Sequence, residues 1–105
     1  MTQEQDYALT GGRIVDVVAG TIIADKAIVI SGDKIKSIVA ERDLPPGIRT
    51  VSVGGRYLSP GLIDCHAHVF IGQFNDDGQI LPSEMSARSG VHLKGILMRG
   101  FTTIR

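Results

Sequence analysis

The sequence predicts an α/β chain in two parts: an N-terminal run of short β-strands over residues 1–59, then the opening of a strand–helix–strand unit over 60–105. Three observations carry that prediction. The first half is filled with β-branched runs punctuated by glycines, among them Gly11-Gly12 and Gly54-Gly55. After Pro60-Gly61 the character changes, and Leu62 to Val69 reads as a run buried on both faces, as strands inside parallel sheets are. A helical stretch stopped by Gly100 then leads into a second β-rich segment, Phe101-Thr102-Thr103-Ile104-Arg105.

Taken in order, the first strands fall at Ala8-Leu9, at Arg13 to Val17 and at Thr21 to Ile23. The clearest hairpin spans residues 27–40, AIVISGDKIKSIVA, where Gly32 supplies the positive φ that a tight turn at Ser31-Gly32-Asp33-Lys34 requires. Ile35, Lys36, Ser37 and Ile38 nearly alternate, so one face of that arm is expected to be solvated. Residues 41–49 form a loop, because Pro45-Pro46-Gly47 continues neither a helix nor a ladder. Strands at Thr50 to Val53 and Tyr57-Leu58 flank the Gly54-Gly55 turn. Beyond the apolar run, a loop is expected from about Phe70 to Pro82, and Ser83 is the expected cap of a helix reaching about Arg99. That helix presents Leu93, Ile96 and Leu97 on one face. Gly90 and Gly95 each cost it about 1 kcal/mol relative to alanine, so it either frays or lies close against a sheet.

Composition narrows the function. The 105 residues are 43% hydrophobic and 21% charged, a globular composition. Lys plus Arg and Asp plus Glu are both 11, which leaves no field to recruit a polyanion, and aromatic content is 5%, too little for base stacking; no nucleic-acid partner is expected. No stretch approaches the roughly 18 apolar residues of a membrane helix, and MTQEQDYALTGG lacks a basic leader with an apolar core, so no membrane partner and a cytoplasmic location are expected. One cysteine, Cys65, makes neither an internal disulfide nor a thiolate cluster, so a metal here would need His and carboxylate ligands.

Such residues occur in PGLIDCHAHVF, residues 60–70, where Asp64, His66 and His68 sit at alternate positions. A strand presents alternate residues on one face, placing the two histidine Cα atoms about 6.6 Å apart at a rise of about 3.3 Å per residue. Two imidazoles so placed can converge on one ion at Zn–N distances of about 2.0–2.1 Å. Alone, the H-x-H triplet is a weak signal, and a chance pair on a solvated strand is commoner than a metal site. Its setting strengthens it, because three polar groups along a doubly buried strand are costly unless paired or coordinated. Asp64 either hydrogen-bonds a ligand or the backbone or ligates directly, the former being favoured. Cys65 points the other way and reads as a small core residue, and His92 reads as a partly exposed helix histidine. A small β-rich binding module with incidental histidines is the rival interpretation. A closed single-ion structural site is a second rival, short of four protein ligands.

PGLIDCHAH, preceded by GGRYLS and followed after the helix by RGFTTIR, resembles the N-terminal portion of the metal-dependent amidohydrolase superfamily, in its imidazolonepropionase-like and prolidase-like branch. The similarity also takes in the GDKIKSIV hairpin and so covers most of the chain. It implies a (β/α)8 barrel beside a small β-sandwich, of which residues 1–59 would be part and residues 60–105 the first strand–helix unit and the start of the second strand. It further implies one or two divalent metals, usually zinc, and hydrolysis of an amide or related C–N bond in a small-molecule substrate; a homo-oligomeric parent is left open. By position, His66 and His68 match the two ligands of the first barrel strand. A carboxylated Lys or a Glu, two further His and a proton-accepting Asp would come from later strands, so the expectation is a truncated, inactive amidohydrolase with no catalytic residue of its own. A barrel takes about 250 residues.

Overall fold

The computed structural model describes residues 5–69 and 81–105. Its first unit, Met1–Pro60, carries seven of the described strands: β1 (Tyr7–Thr10), β2 (Arg13–Asp16), β3 (Thr21–Ile23), β4 (Lys26–Ser31), β5 (Lys34–Ala40), β6 (Arg49–Ser52) and β7 (Tyr57–Leu58). They form a four-stranded sheet in the order β5-β4-β1-β6 and a three-stranded sheet in the order β3-β2-β7. The strands expected from composition in this unit are all present, with ends moved by at most one residue.

Local pattern did not foretell how the two sheets are joined. Strand β1 pairs with β6 in parallel and β2 pairs with β7 in parallel, so two courses of chain run side by side from one sheet into the other. Tyr7 faces Arg49, an offset of 42, while Arg13 faces Tyr57, an offset of 44. The second course therefore carries two extra residues at the crossing, where Gly54 and Gly55 both adopt positive φ, 60° and 76°. Backbone bonds stitch the bend: Val53 N donates to Thr10 O at 2.9 Å, Gly55 N to Gly11 O at 2.7 Å and Arg13 N to Arg56 O at 3.0 Å. Parallel partners far apart in sequence leave no tight-turn signature, which is why expectation ran to short strands joined by turns.

The hairpin β4–β5 closes through the two residues Gly32 and Asp33, with Gly32 at φ 57°, as the sequence required. Register slips between Val29, opposite Ser37, and Ile30, opposite Ile35, so Lys36 is an extra residue in a β-bulge. The bulge breaks the alternation of that arm and aims Lys36 Nζ at Asp6 Oδ2, 2.6 Å away. Ile35 and Ile38 are exposed, in keeping with a solvated face.

Ala8 and Ala27, both fully buried, and Val29 share one face of the larger sheet, and Val39, Leu44 and Ile48 pack against them. Leu44 and Ile48 come from the 41–49 loop, which opens with a 3-10 turn at Glu41–Asp43 and folds over the sheet. Alanines on this face let it approach closely, and Glu41 Oε1 anchors it by accepting from Gly11 N at 2.6 Å.

The second unit, Gly61–Arg105, holds β8 (Leu62–Asp64), α1 (Pro82–Met98) and β9 (Phe101–Ile104). Strands β8 and β9 pair in parallel, a strand–helix–strand unit as expected. Thr102 is the extra residue at a bulge between the Leu62–Phe101 and Ile63–Thr103 pairs, and a Cβ added to Gly61 would collide with the Thr102 side chain. Three expectations are corrected here. The strand ends at Asp64 rather than Val69, and Leu62 and Ile63 are 50% and 65% exposed rather than doubly buried, because β9 is its one sheet neighbour among the described residues. The helix is capped at Leu81, with Pro82 in the first turn, and not by Ser83; proline's fixed φ and absent N–H suit that position. Neither helix glycine is needed for close approach: a Cβ on Gly90 meets nothing within 4 Å, and on Gly95 only the Arg99 guanidinium. Gly100, at φ 94°, stops the helix as expected, and Leu93, Ile96 and Leu97 line one groove with Phe101, Thr102 and Ile104. The expected loop from Phe70 falls almost wholly outside the described residues.

Candidate metal centre

Where β8 ends, the chain arches. Arg105 N donates to Asp64 O at 3.0 Å and Ala67 N donates to Arg105 O at 2.8 Å, so the backbone of one residue at the end of β9 grips both feet of the 64–67 segment. Inside the arch, His66 N donates to Asp64 Oδ1 at 3.0 Å, the two-residue side-chain-to-backbone closure typical of aspartate turns. An aspartate satisfied this way competes with the ladder, which explains why the strand stops there.

The arch brings the predicted pair together. His66 Nε2 and His68 Nε2 stand 2.8 Å apart, with ring centroids 4.8 Å apart and planes inclined by 64°. Two nitrogens on one tetrahedral ion, each at about 2.0–2.1 Å, would be about 3.3 Å apart. The observed spacing is within about half an ångström of that, so the residues present fit a divalent ion as two of its ligands. Convergence is achieved by a turn, not by the pleat of a strand as the alternation suggested. Both imidazoles are exposed and Asp64 is half-buried.

The turn also corrects the reading of Cys65: it is exposed, not a core residue, because the pleat that would have buried it ends one residue earlier. His92 lies exposed on α1, as expected. Among the described residues no three or more His, Cys, Asp or Glu side chains gather in a way that could hold an ion, so no closed four-ligand site is assembled there. Sequence reasoning missed the part played by Arg105, whose contribution is backbone and leaves no side-chain signal. No helix among the described residues is long and apolar enough to cross a membrane.

Comparison with known proteins gives this geometry a context. The family described as the NagA composite domain matches residues 6–58. Adenine deaminase 2 of Agrobacterium fabrum is 35% identical over 103 residues, covering 97% of this chain and 15% of that protein. Imidazolonepropionase of Pseudomonas aeruginosa is 43% identical over 54 residues, covering 50% of this chain and 13% of that protein. A prolidase crystallised with N-methylphosphonate-L-proline superposes with a TM-score of 0.85 at 29% identity, over 96% of this chain and 25% of that one. The chain thus spans about 15% of the length of the first of these relatives. With the composite domain over half its length and relatives of this kind over nearly all of it, the chain belongs to the amidohydrolase superfamily.

Proposed function

We propose that this chain is the N-terminal portion of a metal-dependent hydrolase that cleaves an amide or other C–N bond in a small molecule, of the cyclic amide, N-acyl amino acid or dipeptide class. The convergence of His66 and His68 Nε2 at the end of β8 carries the reading. Support for the bond type comes from relatives named adenine deaminase, imidazolonepropionase and prolidase. In this reading β8, α1 and β9 open a (β/α)8 barrel, and the histidines lie at the C-terminal end of its first strand, where barrel enzymes place their chemistry.

His66 and His68 would hold a divalent ion, zinc by preference for imidazole in a tetrahedral setting. When bound, such an ion supplies Lewis acidity, bringing the pKa of a water to about 7 and polarising a carbonyl. Both imidazoles would hold the ion as neutral ligands through Nε2. The remaining ligands and the proton-accepting carboxylate are assigned to later strands. A single thiol suits the reducing cytoplasm, and the balanced charge suits a small-molecule substrate rather than a polyanion.

The test compares His66→Ala, His68→Ala and His92→Ala in the full-length protein by atomic-emission metal analysis, turnover and circular dichroism. The first two are expected to lose metal and to lower turnover by more than the roughly 10–100-fold typical of losing an outer hydrogen-bond partner, with secondary structure intact. His92→Ala is expected to retain both. Full metal content in the first two variants, or its loss in the His92 variant alone, would mean the site lies elsewhere.

A further inference from the structure

We propose that Asp64 is a positioning residue: its carboxylate sets the backbone arch that turns His66 and His68 toward one point, and it is not itself a ligand. The proposal rests on the metal-site reading above and assigns a role within it.

Four consecutive residues, 64–67, are held by three hydrogen bonds, and Asp64 takes part in two of them. Its carbonyl accepts from Arg105 N and its Oδ1 accepts from His66 N. The third, Ala67 N to Arg105 O, closes the far foot. With both feet pinned to one residue, the amide inside the arch fixes where the His66 Cα sits and hence where its ring is launched. The ring then meets His68 edge to face with the two Nε2 atoms 2.8 Å apart.

The closure depends on side-chain length. An oxygen one carbon beyond Cβ reaches the amide two residues on, and both aspartate and asparagine supply it. Glutamate carries its oxygens one methylene further out and does not close the same ring. Asp64 is half-buried while both imidazoles are exposed, and one of its two carboxylate oxygens, Oδ1, is engaged by the His66 amide. Positioning and ligation therefore predict opposite orders of substitution. Positioning tolerates asparagine and not glutamate, because the acceptor's reach matters and its charge does not. Ligation tolerates glutamate and not asparagine, because a charged oxygen is what the ion takes.

The experiment measures zinc affinity of the full-length protein, by competition with a chromophoric chelator, for wild type, Asp64→Asn, Asp64→Glu, Asp64→Ala and His66→Ala, together with the visible absorption of the cobalt-substituted forms. Expected are an Asn variant within a few-fold of wild type with an unchanged cobalt spectrum, and Glu and Ala variants weakened about 10–100-fold. If the Ala variant fails to fold, the Asn and Glu variants, which both keep a polar side chain at this position, decide the matter. Glu binding zinc better than Asn would overturn the proposal in favour of direct ligation. Equal affinity across all Asp64 variants, with loss in His66→Ala, would leave the metal site standing and remove Asp64 from it. Undiminished zinc binding by His66→Ala would take down the metal reading and this proposal together.

Discussion

Gly12→Ala places one methyl group at the crossing where the two sheets of the first unit join. Gly12 is buried, and a Cβ there would stand 2.6 Å from Val53 Cγ2, 3.0 Å from Leu58 Cδ1 and 3.3 Å from Arg56 O. Carbon pairs are comfortable at about 3.5–4.0 Å, so the methyl must displace its neighbours. Val53 is β-branched and stiff about χ1. Arg56 O accepts the Arg13 amide at 3.0 Å and recedes only by stretching that bond. Overpacking of this kind costs about 1–3 kcal/mol. Alanine's smaller freedom in the unfolded chain returns about 0.4–1 kcal/mol. The net loss is about 1–2 kcal/mol, which at about 4–8 °C per kcal/mol for a domain of this size lowers Tm by roughly 5–15 °C. Thermal denaturation of wild type, Gly12→Ala, Val53→Ala and the double variant, followed by far-ultraviolet circular dichroism, reads this directly. Because Val53 makes the nearest contact, the double variant should recover stability relative to additivity, with a coupling of about 1 kcal/mol. A Gly12→Ala chain that melts at or above the wild-type temperature, or strict additivity in the double variant, would refute the account of the crossing.

Gly32→Ala meets nothing within 4 Å, so only its φ of 57° counts; a loss of about 1 kcal/mol in chemical denaturation is expected, with Gly32→Asn milder, and equal stability of all three would show that the turn does not demand a left-handed residue. The Lys36 hydrogen bond, then that of Ser31, holds the Asp6 carboxyl below its ordinary pKa. A folded pKa below the unfolded one gives stability that is present above the unfolded value and lost as pH falls through the folded value. The stability difference between wild type and Asp6→Asn should therefore shrink on acidification and with added salt; a pH-independent difference would remove the ion pair as its source. In the second unit Ile63, Val91, Leu97 and Met98 are each more than half exposed, and the 105-residue chain is expected to self-associate in sedimentation, whereas a cooperatively melting monomer at every concentration would argue otherwise.

Much of the strand content was legible because it rests on nearest-neighbour chemistry. Gly32 had to turn left at the hairpin, Gly100 had to end the helix, and Pro45-Pro46-Gly47 had to interrupt the ladder. The loop around those prolines was read as a connection, yet its Leu44 and Ile48 cover Ala8 and Ala27, an outcome that depends on a sheet face formed by residues distant in sequence. Lys36 looked like one member of an alternating series, and the bulge that spoils the alternation arises only from its pairing with β4.

The pair His66 and His68 shows the division most clearly. From the sequence alone came the residues: two imidazoles and an aspartate at alternate positions after an apolar run, in a resemblance specific enough to name their family. Periodicity anticipated that His66 and His68 come together but by the wrong backbone, since it assumed a strand continuing to Val69. A strand persists only while a neighbour accepts its ladder, and past Asp64 the residue that follows β9, Arg105, bridges 64 and 67 instead. Side-chain type and spacing are properties of the chain and survive translation into sequence. Which amide meets which oxygen between residues so far apart in sequence as Asp64 and Arg105 is set by tertiary pairing, and that pairing turned an alternating run into an arch with both Nε2 atoms facing each other.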